Sequence, residues 1–234
     1  MQRLMAVFVG TAFIVGSCTA SDETARSAAR LEAKYVDIGA AGFIDQTVSF
    51  NNPGDVALVP RVRYSALDAD GNAVPGIDVT AAFGSDRSLL VVPATGYFDV
   101  LTFAGDRVAE VVDVDVEILD VATADGYELG QVAEPEALAS DGSLLTKFDA
   151  FSQVALTNSS EEDAYFRVVC LVYDSPAPGN AQQAVEVSVV VEATLVAAGR
   201  RAVLPVSAAF AARTARLGYG CDSLKLHPTP PTTA

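Results

Sequence analysis

Apolar and polar residues alternate along several stretches of the chain, at the two-residue period of a β-strand. The clearest are VVDVDVEILD at 111–120 and VEVSVVVEATL at 185–195, where valines occupy every second position for long runs. Turn-forming sequences separate such stretches, including Asn-Pro-Gly at 52–54 and Asp-Gly-Asn at 70–72. Alternation bounded by turns predicts antiparallel strands with one buried face, and no βαβ pattern appears. The predicted fold class is all-β.

The chain also resembles itself. FNNPGDVALVPRVRYSALDADGN, from Phe50, aligns with LTNSSEEDAYFRVVCLVYDSPAPGN, from Leu156, at a constant offset of 106. The offset superposes Asn52 on Asn158, Arg61 on Arg167, Val62 on Val168 and Asp68 on Asp174. We therefore predict two repeats, 41–122 and 148–226, joined by an acidic linker at 123–147.

Each predicted repeat has the length of an immunoglobulin-like β-sandwich, with turn signals about every ten residues. The order of strand, Asn turn, strand ending in Asp, and Gly turn resembles the FxLyD-type and LEA14-like modules of exported bacterial proteins. The resemblance implies two tandem sandwiches in an exported protein. It brings no catalytic residue with it.

The N-terminus has the features of a secretory signal. Arg3 precedes an apolar stretch from Leu4 to Val15, which as a helix would be roughly 18 Å long, too short for a hydrocarbon core of about 30 Å. Small residues follow, as a signal peptidase requires. The segment 1–17 is thus predicted to be removed.

Val15-Gly16-Ser17-Cys18 resembles the lipobox of bacterial lipoproteins. The resemblance implies that Cys18 carries a diacylglyceryl group and becomes the acylated N-terminus, since a cysteine sulfur is a strong nucleophile. The family's sorting habits imply the outer membrane, facing the periplasm, in a host with two membranes, because residue 19 is not Asp. In a host with one membrane, the anchor would lie on the outer face of the cell membrane. An ordinary signal peptide with an incidental cysteine is the alternative.

Two segments are predicted to lie outside the sandwiches. Residues 18–40 would form a lipidated tether, either as a short helix or as a flexible stalk. Residues 227–234, HPTPPTTA, are expected to be an extended, disordered tail because of their prolines.

Charge narrows the classes of partner. Removal of residues 1–17 takes away one of the 15 basic residues and no acid, so the net charge of −15 becomes −16. A charge of this sign, without clustered Lys and Arg, disfavours nucleic acid and anionic lipid. The membrane would be reached through the lipid anchor, and an envelope protein is the expected partner.

Cys170 and Cys221 remain after lipidation of Cys18. Exported chains meet an oxidising compartment, so we predict a disulfide between them; two buried free thiols are the alternative. The alternation in RTARLGYGCDSL at 213–224 predicts a strand that turns Cys221 toward the core of the second repeat.

Catalytic signals are weak. The single histidine, His227, falls in the predicted tail, and the chain lacks CxxC, HExxH, P-loop and GxGxxG motifs. We therefore predict no catalytic residues, no cofactor and no metal site, and regard the chain as a non-enzyme. A hydrolase using two carboxylates is a remote alternative, because such a pair cannot be identified among 30 acids.

The segment from Asp68 to Asn72 begins like a calcium loop. Val79 stands where a bidentate acid is required, so a tight turn is the better interpretation. The acids within 111–120 are interpreted as a solvated strand face.

One predicted strand is apolar on both faces. In the first repeat its outward positions are polar, whereas the corresponding positions of the second repeat are Val169 and Leu171, followed by Tyr173. An apolar outward face is normally covered. We predict an interface, with the first repeat or the 123–147 segment as the favoured cover and an external partner as the alternative.

These observations favour a membrane-anchored envelope lipoprotein that binds or scaffolds through tandem β-sandwiches. Recognition of a small ligand or glycan through inter-strand loops is the second candidate, with Tyr97 and Phe98 as the aromatic side chains that could contact it.

Overall fold

The computed structural model of the protein describes residues 30–36, 46–124, 134–148, 151–175 and 184–230. Within these ranges the chain forms antiparallel sheets and a single α-helix, which confirms the all-β prediction. The strands of the first half are β1 (Glu32–Val36), β2 (Thr47–Asn51), β3 (Leu58–Leu67), β4 (Asp78–Ala81), β5 (Tyr97–Ala104) and β6 (Asp113–Thr123). Those of the second half are β7 (Glu136–Leu138), β8 (Gln153–Thr157), β9 (Ala164–Tyr173), β10 (Ala184–Val196), β11 (Arg201–Pro205) and β12 (Ser223–Pro228). The helix is α1 (Ala208–Leu217).

Each half contains two sheets. In the first half, β1-β2-β5-β4 faces the pair β3-β6; in the second, β7-β8-β11 faces β10-β9-β12. The alternation seen in the sequence of β6 persists in the structure, because Val114 is buried while Asp113, Asp115 and Glu117 are exposed. These acids form the solvated face that the sequence predicts.

The internal repeat is visible in the strands. β8 and β9 begin and end 106 residues after β2 and β3. Asn52 and Asn158, equivalent at this offset, are both buried. Each donates from Nδ2 to two backbone carbonyls and accepts, at Oδ1, the backbone N–H two residues ahead. An equivalent asparagine thus stabilises the equivalent turn in each half.

The two halves differ in the pairing partner of the strand that follows β3 or β9. In the first half, β4 follows β3 but pairs with β5, in the sheet opposite β3. Leu58 of β3 forms an isolated bridge with Val92, which lies between β4 and β5. In the second half, β10 instead pairs with β9 along most of its length, with register shifts around Val191. β9 therefore lies between two strands, β10 and β12.

Four predictions about the chain's connections are wrong. Residues 18–40 were predicted as a tether, yet β1 pairs with β2 and Leu31 is buried. The 123–147 linker contains β7, which pairs with β8 and buries Ala137. In both places a few apolar residues complete a sheet edge. The positions of residues 18–29, 37–40 and 125–133 lie outside the described residues.

The third error concerns the segment predicted as a strand before Cys221. It is the helix α1, because Ser207 caps its N-terminus by accepting from the N–H of Phe210 and Gly218 ends it with a positive φ. Five alanines between Ala208 and Ala215 favour the helix over a strand.

The fourth error concerns the 227–234 tail. Residues 227 and 228 belong to β12, and His227 and Thr229 are buried. The prolines favour disorder, but Pro228 sits at the last position of a strand, where no further ladder bond from its nitrogen is required. Residues 231–234 lie outside the described residues.

Candidate functional site at the junction of the two sandwiches

β9 is buried on both faces. Val168 and Cys170 point into the core of the second sandwich. Val169 and Leu171 point the other way, into a cluster that contains the core of the first sandwich, including Phe50. Tyr173 lies at the edge of the same cluster and is partly buried. The apolar outward face that the sequence singled out is thus covered by the first repeat.

Gln46 fixes the relative position of the two halves. Its Nε2 donates to the carbonyl of Ala184 at 3.2 Å, and its Oε1 accepts the N–H of the same residue. Gln46 precedes β2, and Ala184 begins β10. Both residues are 2% exposed, so water does not compete for these hydrogen bonds. We call the contact region formed by this pair, the outward face of β9 and β12 the junction.

β12 contributes a second set of contacts to the junction. The His227 ring stacks on Phe83 of the first half, with ring centroids 4.8 Å apart. The Tyr97 hydroxyl donates to the carbonyl of Leu226, and the Thr229 hydroxyl donates to the carbonyl of Leu89. A strand expected to be disordered therefore joins the halves.

His227 is in a site that keeps its ring neutral. Its Nδ1 lies 3.2 Å from the carbonyl oxygen of Pro228, which requires a proton on that nitrogen. Burial, reinforced by the charge of neighbouring Arg167, lowers the pKa of His227 to about 3. No Ser or Cys is placed against the ring in these contacts. The imidazole acts here as an aromatic packing group.

Asp99 organises the part of the first half that meets β12. Its carboxylate accepts four hydrogen bonds, from the N–H groups of Phe83, Ser85 and Val100 and from the Ser85 hydroxyl. Because Ser85 donates to Asp99, the Tyr64 hydroxyl must donate to Ser85 Oγ, at 2.7 Å. Asp99 thereby holds the loop that carries Phe83 against His227.

Burial has the largest effect on the pKa of Asp99. It raises the pKa of Asp99 to about 6, although its four donors favour the anion. Burial also raises the pKa of Tyr64, and the charge of Asp99 adds to this. With a raised pKa in the folded state, ionisation of Asp99 costs stability: its contribution is greatest below the unfolded pKa and falls as the pH rises through about 6.

The loop itself has unusual backbone conformations. Gly84 has a φ of 90°, and a Cβ at this position would lie 2.8 Å from the Cβ of Leu89. Ser88 has a φ of 56°, in the left-handed region that non-glycine residues seldom occupy. The Asp99 hydrogen bonds stabilise this turn.

Tyr97 and Phe98, proposed above as ligand-contacting aromatics, lie on β5 and not in a loop. Their rings stack on each other, and both contact Phe83. Tyr97 is mostly buried in the junction, while Phe98 is 39% exposed. They extend the junction's aromatic packing.

Asp68 occupies a turn. Its Oδ1 accepts the N–H groups of Asp70 and Asn72, at 3.0 and 2.9 Å. This hydrogen bonding is that of an Asx-turn, with Gly71 at positive φ. The carboxylate is occupied by the backbone, in agreement with the turn interpretation.

Cys170 and Cys221 form the predicted disulfide, with their Cα atoms 5.5 Å apart. The bond ties β9 to the segment that follows α1. In the same region Arg213 of α1 forms an ion pair with Glu186, at 2.6 Å, and its guanidinium lies over the Phe210 and Tyr219 rings. This side of β9 is thereby fixed covalently and electrostatically.

Cys18, the predicted lipidation residue, lies outside the described residues. In the described ranges no helix is both long and apolar enough to cross a bilayer.

Comparisons of the chain with protein-family models, with curated proteins and with solved structures find no match.

Sequence reasoning identified Val169, Leu171 and Tyr173 but missed Gln46, Asp99 and His227. One signal was present: an Asp in the middle of the apolar run YFDVL requires several donors if it is buried. Gln46 gave no such signal, because a single glutamine before a strand is common.

Proposed function

We propose that the protein is a lipid-anchored lipoprotein of a bacterial cell envelope, and that its two β-sandwiches act as one non-catalytic binding or scaffolding body. The lipobox-like Val15–Cys18 sequence supports the anchor. The observation that carries the proposed role is the junction, where the outward face of β9 is buried within the first sandwich. A rigid two-part body holds the surfaces of its two sandwiches in a fixed position relative to each other.

Lipidation can be tested directly in a bacterial host. Cells expressing the wild-type chain or Cys18→Ala are grown with an alkyne-labelled palmitate analogue, and the proteins are isolated from membrane and soluble fractions. We expect label and membrane association for the wild type only. An unlabelled wild-type chain that retains Met1 would refute the anchor.

The scaffolding role requires a defined envelope partner. We expect crosslinking of native envelopes to recover the same partner repeatedly with wild-type protein and less of it with Cys18→Ala, which is released from the membrane. Leu171→Asp, which places a charge in the junction, should also reduce recovery. A purified protein that turns over an envelope substrate, without a stable partner, would overturn the non-catalytic assignment.

A further inference from the structure

A cleft of about 350 Å³ lies between the two sandwiches, at the rim of the junction. The first half contributes Thr80, Thr102 and Arg87 to its lining, and the second half contributes Arg167, Glu186 and Val187. Its volume is within the range of sites for small organic ligands. Two arginines from different halves thus line one concave site.

Arg167 lines the cleft and carries a buried donor without a partner. Its side chain is only 10% exposed, and its Nη1 has no hydrogen-bond partner among the described residues. Its Nη2 is 3.7 Å from the carboxylate of Glu192, too far for a hydrogen bond, and Glu192 is 68% exposed. A buried guanidinium normally has several charge-assisted hydrogen bonds.

Arg87 is held at the other side. Its Nη2 donates to the carbonyl of Ala81 at 2.8 Å and its Nε donates to Asp86 at 3.0 Å. Burial lowers the pKa of Arg167 and the charge of Arg87 lowers it further, whereas the charges of Glu192 and Asp86 oppose this shift, so the two guanidinium groups are close enough to interact. An anion between them would relieve this repulsion.

The rest of the lining limits the ligand's charge and shape. Glu186 also lines the cleft, although its carboxylate is paired with Arg213. The negative charge of Glu186 repels a doubly charged group such as phosphate more strongly than a singly charged group, so the cleft favours a single negative charge. Val187 and its neighbouring valines on β10 provide an apolar wall, whereas the Thr80 and Thr102 hydroxyls bond to each other.

We propose that this cleft binds a small organic monocarboxylate, with its carboxylate between Arg87 and Arg167 and its apolar part against the β10 valines. Arginine is suited to this because its planar guanidinium can donate two parallel hydrogen bonds to one carboxylate. The site requires both sandwiches, so it exists only when the junction is formed. The inference rests on the proposed binding role, for which it supplies a class of ligand.

The test uses hexanoate as the probe, with 1-hexanol and inorganic phosphate for comparison. Binding to the full chain, purified in a non-ionic detergent, is measured by ligand-detected NMR titration. We expect hexanoate to bind more tightly than either comparison compound. Arg87→Gln and Arg167→Met should each weaken hexanoate binding about tenfold, the usual effect of losing one charge-assisted hydrogen bond.

Arg63→Gln is the matched control, because Arg63 is 61% exposed on β3 and paired with Glu117 away from the cleft. Arg87→Gln alters a half-exposed side chain, so it tests the site even if Arg167→Met disturbs the junction. Equal hexanoate affinity in Arg87→Gln and Arg63→Gln would overturn the site. Hexanol binding as tightly as hexanoate, or phosphate binding more tightly, would overturn the ligand class. None of these results depends on acylation of Cys18, so they are separate from failure of the proposed envelope role.

Discussion

Replacement of Leu171 by alanine tests whether the two sandwiches share one core. Leu171 lies on β9 and is 1% exposed. Its side chain belongs to the cluster built mainly from first-half residues, while the adjacent Cys170 belongs to the core of the second half. The substitution therefore removes apolar volume from the junction and leaves the inner core of the second sandwich intact.

The expected cost follows from the confinement of the site. Buried Leu→Ala substitutions cost about 2–5 kcal/mol, with the larger values where neighbours cannot collapse into the cavity. β9 is held between β10 and β12 and fixed by the disulfide, so its backbone has little freedom to move inward. We expect a loss of about 3 kcal/mol, which lowers the Tm of a domain of this size by roughly 6–12 °C.

Urea denaturation measures the loss, and hydrogen exchange locates it. Leu195→Ala is the control, because Leu195 also lies in the β9-β10 sheet but is 48% exposed. In Leu171→Ala, peptides from β2 and β5 should exchange faster, even though the substitution is in the second half. The control should leave exchange in β2 and β5 unchanged and cost less than about 1 kcal/mol.

Two results would refute this reasoning. If Leu171→Ala costs no more than Leu195→Ala, the outward face of β9 is not packed as described. If the cost is large but faster exchange is confined to second-half peptides, the two sandwiches unfold independently and the junction does not couple them.

Three further predictions concern polar and covalent features of the same structure. Asp99→Asn should lower the free energy of unfolding by about 2–4 kcal/mol, which urea denaturation measures. The amide –NH₂ of Asn would face an N–H group that now donates to a carboxylate oxygen, so that hydrogen bond would be lost. His227→Phe should lose less stability than the wild type between pH 7 and pH 4. The folded pKa of about 3 lies below the unfolded value of 6.5, so the wild-type stability is complete above pH 6.5 and is lost as the pH falls, by about 3 kcal/mol at pH 4. Replacement of both Cys170 and Cys221 by alanine should cost about 3–4 kcal/mol, because the bond closes a loop of 51 residues; thermal unfolding measures this.

The Asp99 prediction has a matched control, and each of the three predictions has a contrary outcome. Asp115→Asn, on the exposed face of β6, should be nearly neutral, and an equally neutral Asp99→Asn would contradict the hydrogen-bond assignment. Identical acid sensitivity in the wild type and His227→Phe would show that the ring is not buried in the neutral form. An unchanged Tm for the alanine pair would mean that the disulfide does not constrain the unfolded chain.

The strand pattern was predictable where one physical rule dominated. In β6 the alternation of valine and acid follows directly from a sheet with one solvated face. The disulfide was predictable because few cysteines were available. The outward side chains of β9 were identifiable because burial of one face does not account for apolar residues on both.

The remaining features depend on contacts between distant parts of the chain. β12 is ordered because Phe83 and Leu89, about 140 residues earlier, provide partners for His227 and Thr229. The local sequence from His227 onward is dominated by prolines and threonines, which by themselves favour an extended tail. The helix α1 was mistaken for a strand because its last residues continue into an alternating segment, and the cap at Ser207 was overlooked.

The position of β12 has a consequence for how the protein reaches its final form. Phe83 leaves the ribosome long before His227, so the first sandwich keeps an uncovered aromatic surface until the later strand has been made. A partly folded chain with this surface exposed is prone to aggregation until β12 covers it. Folding of the first half is therefore completed only after the second half has been made.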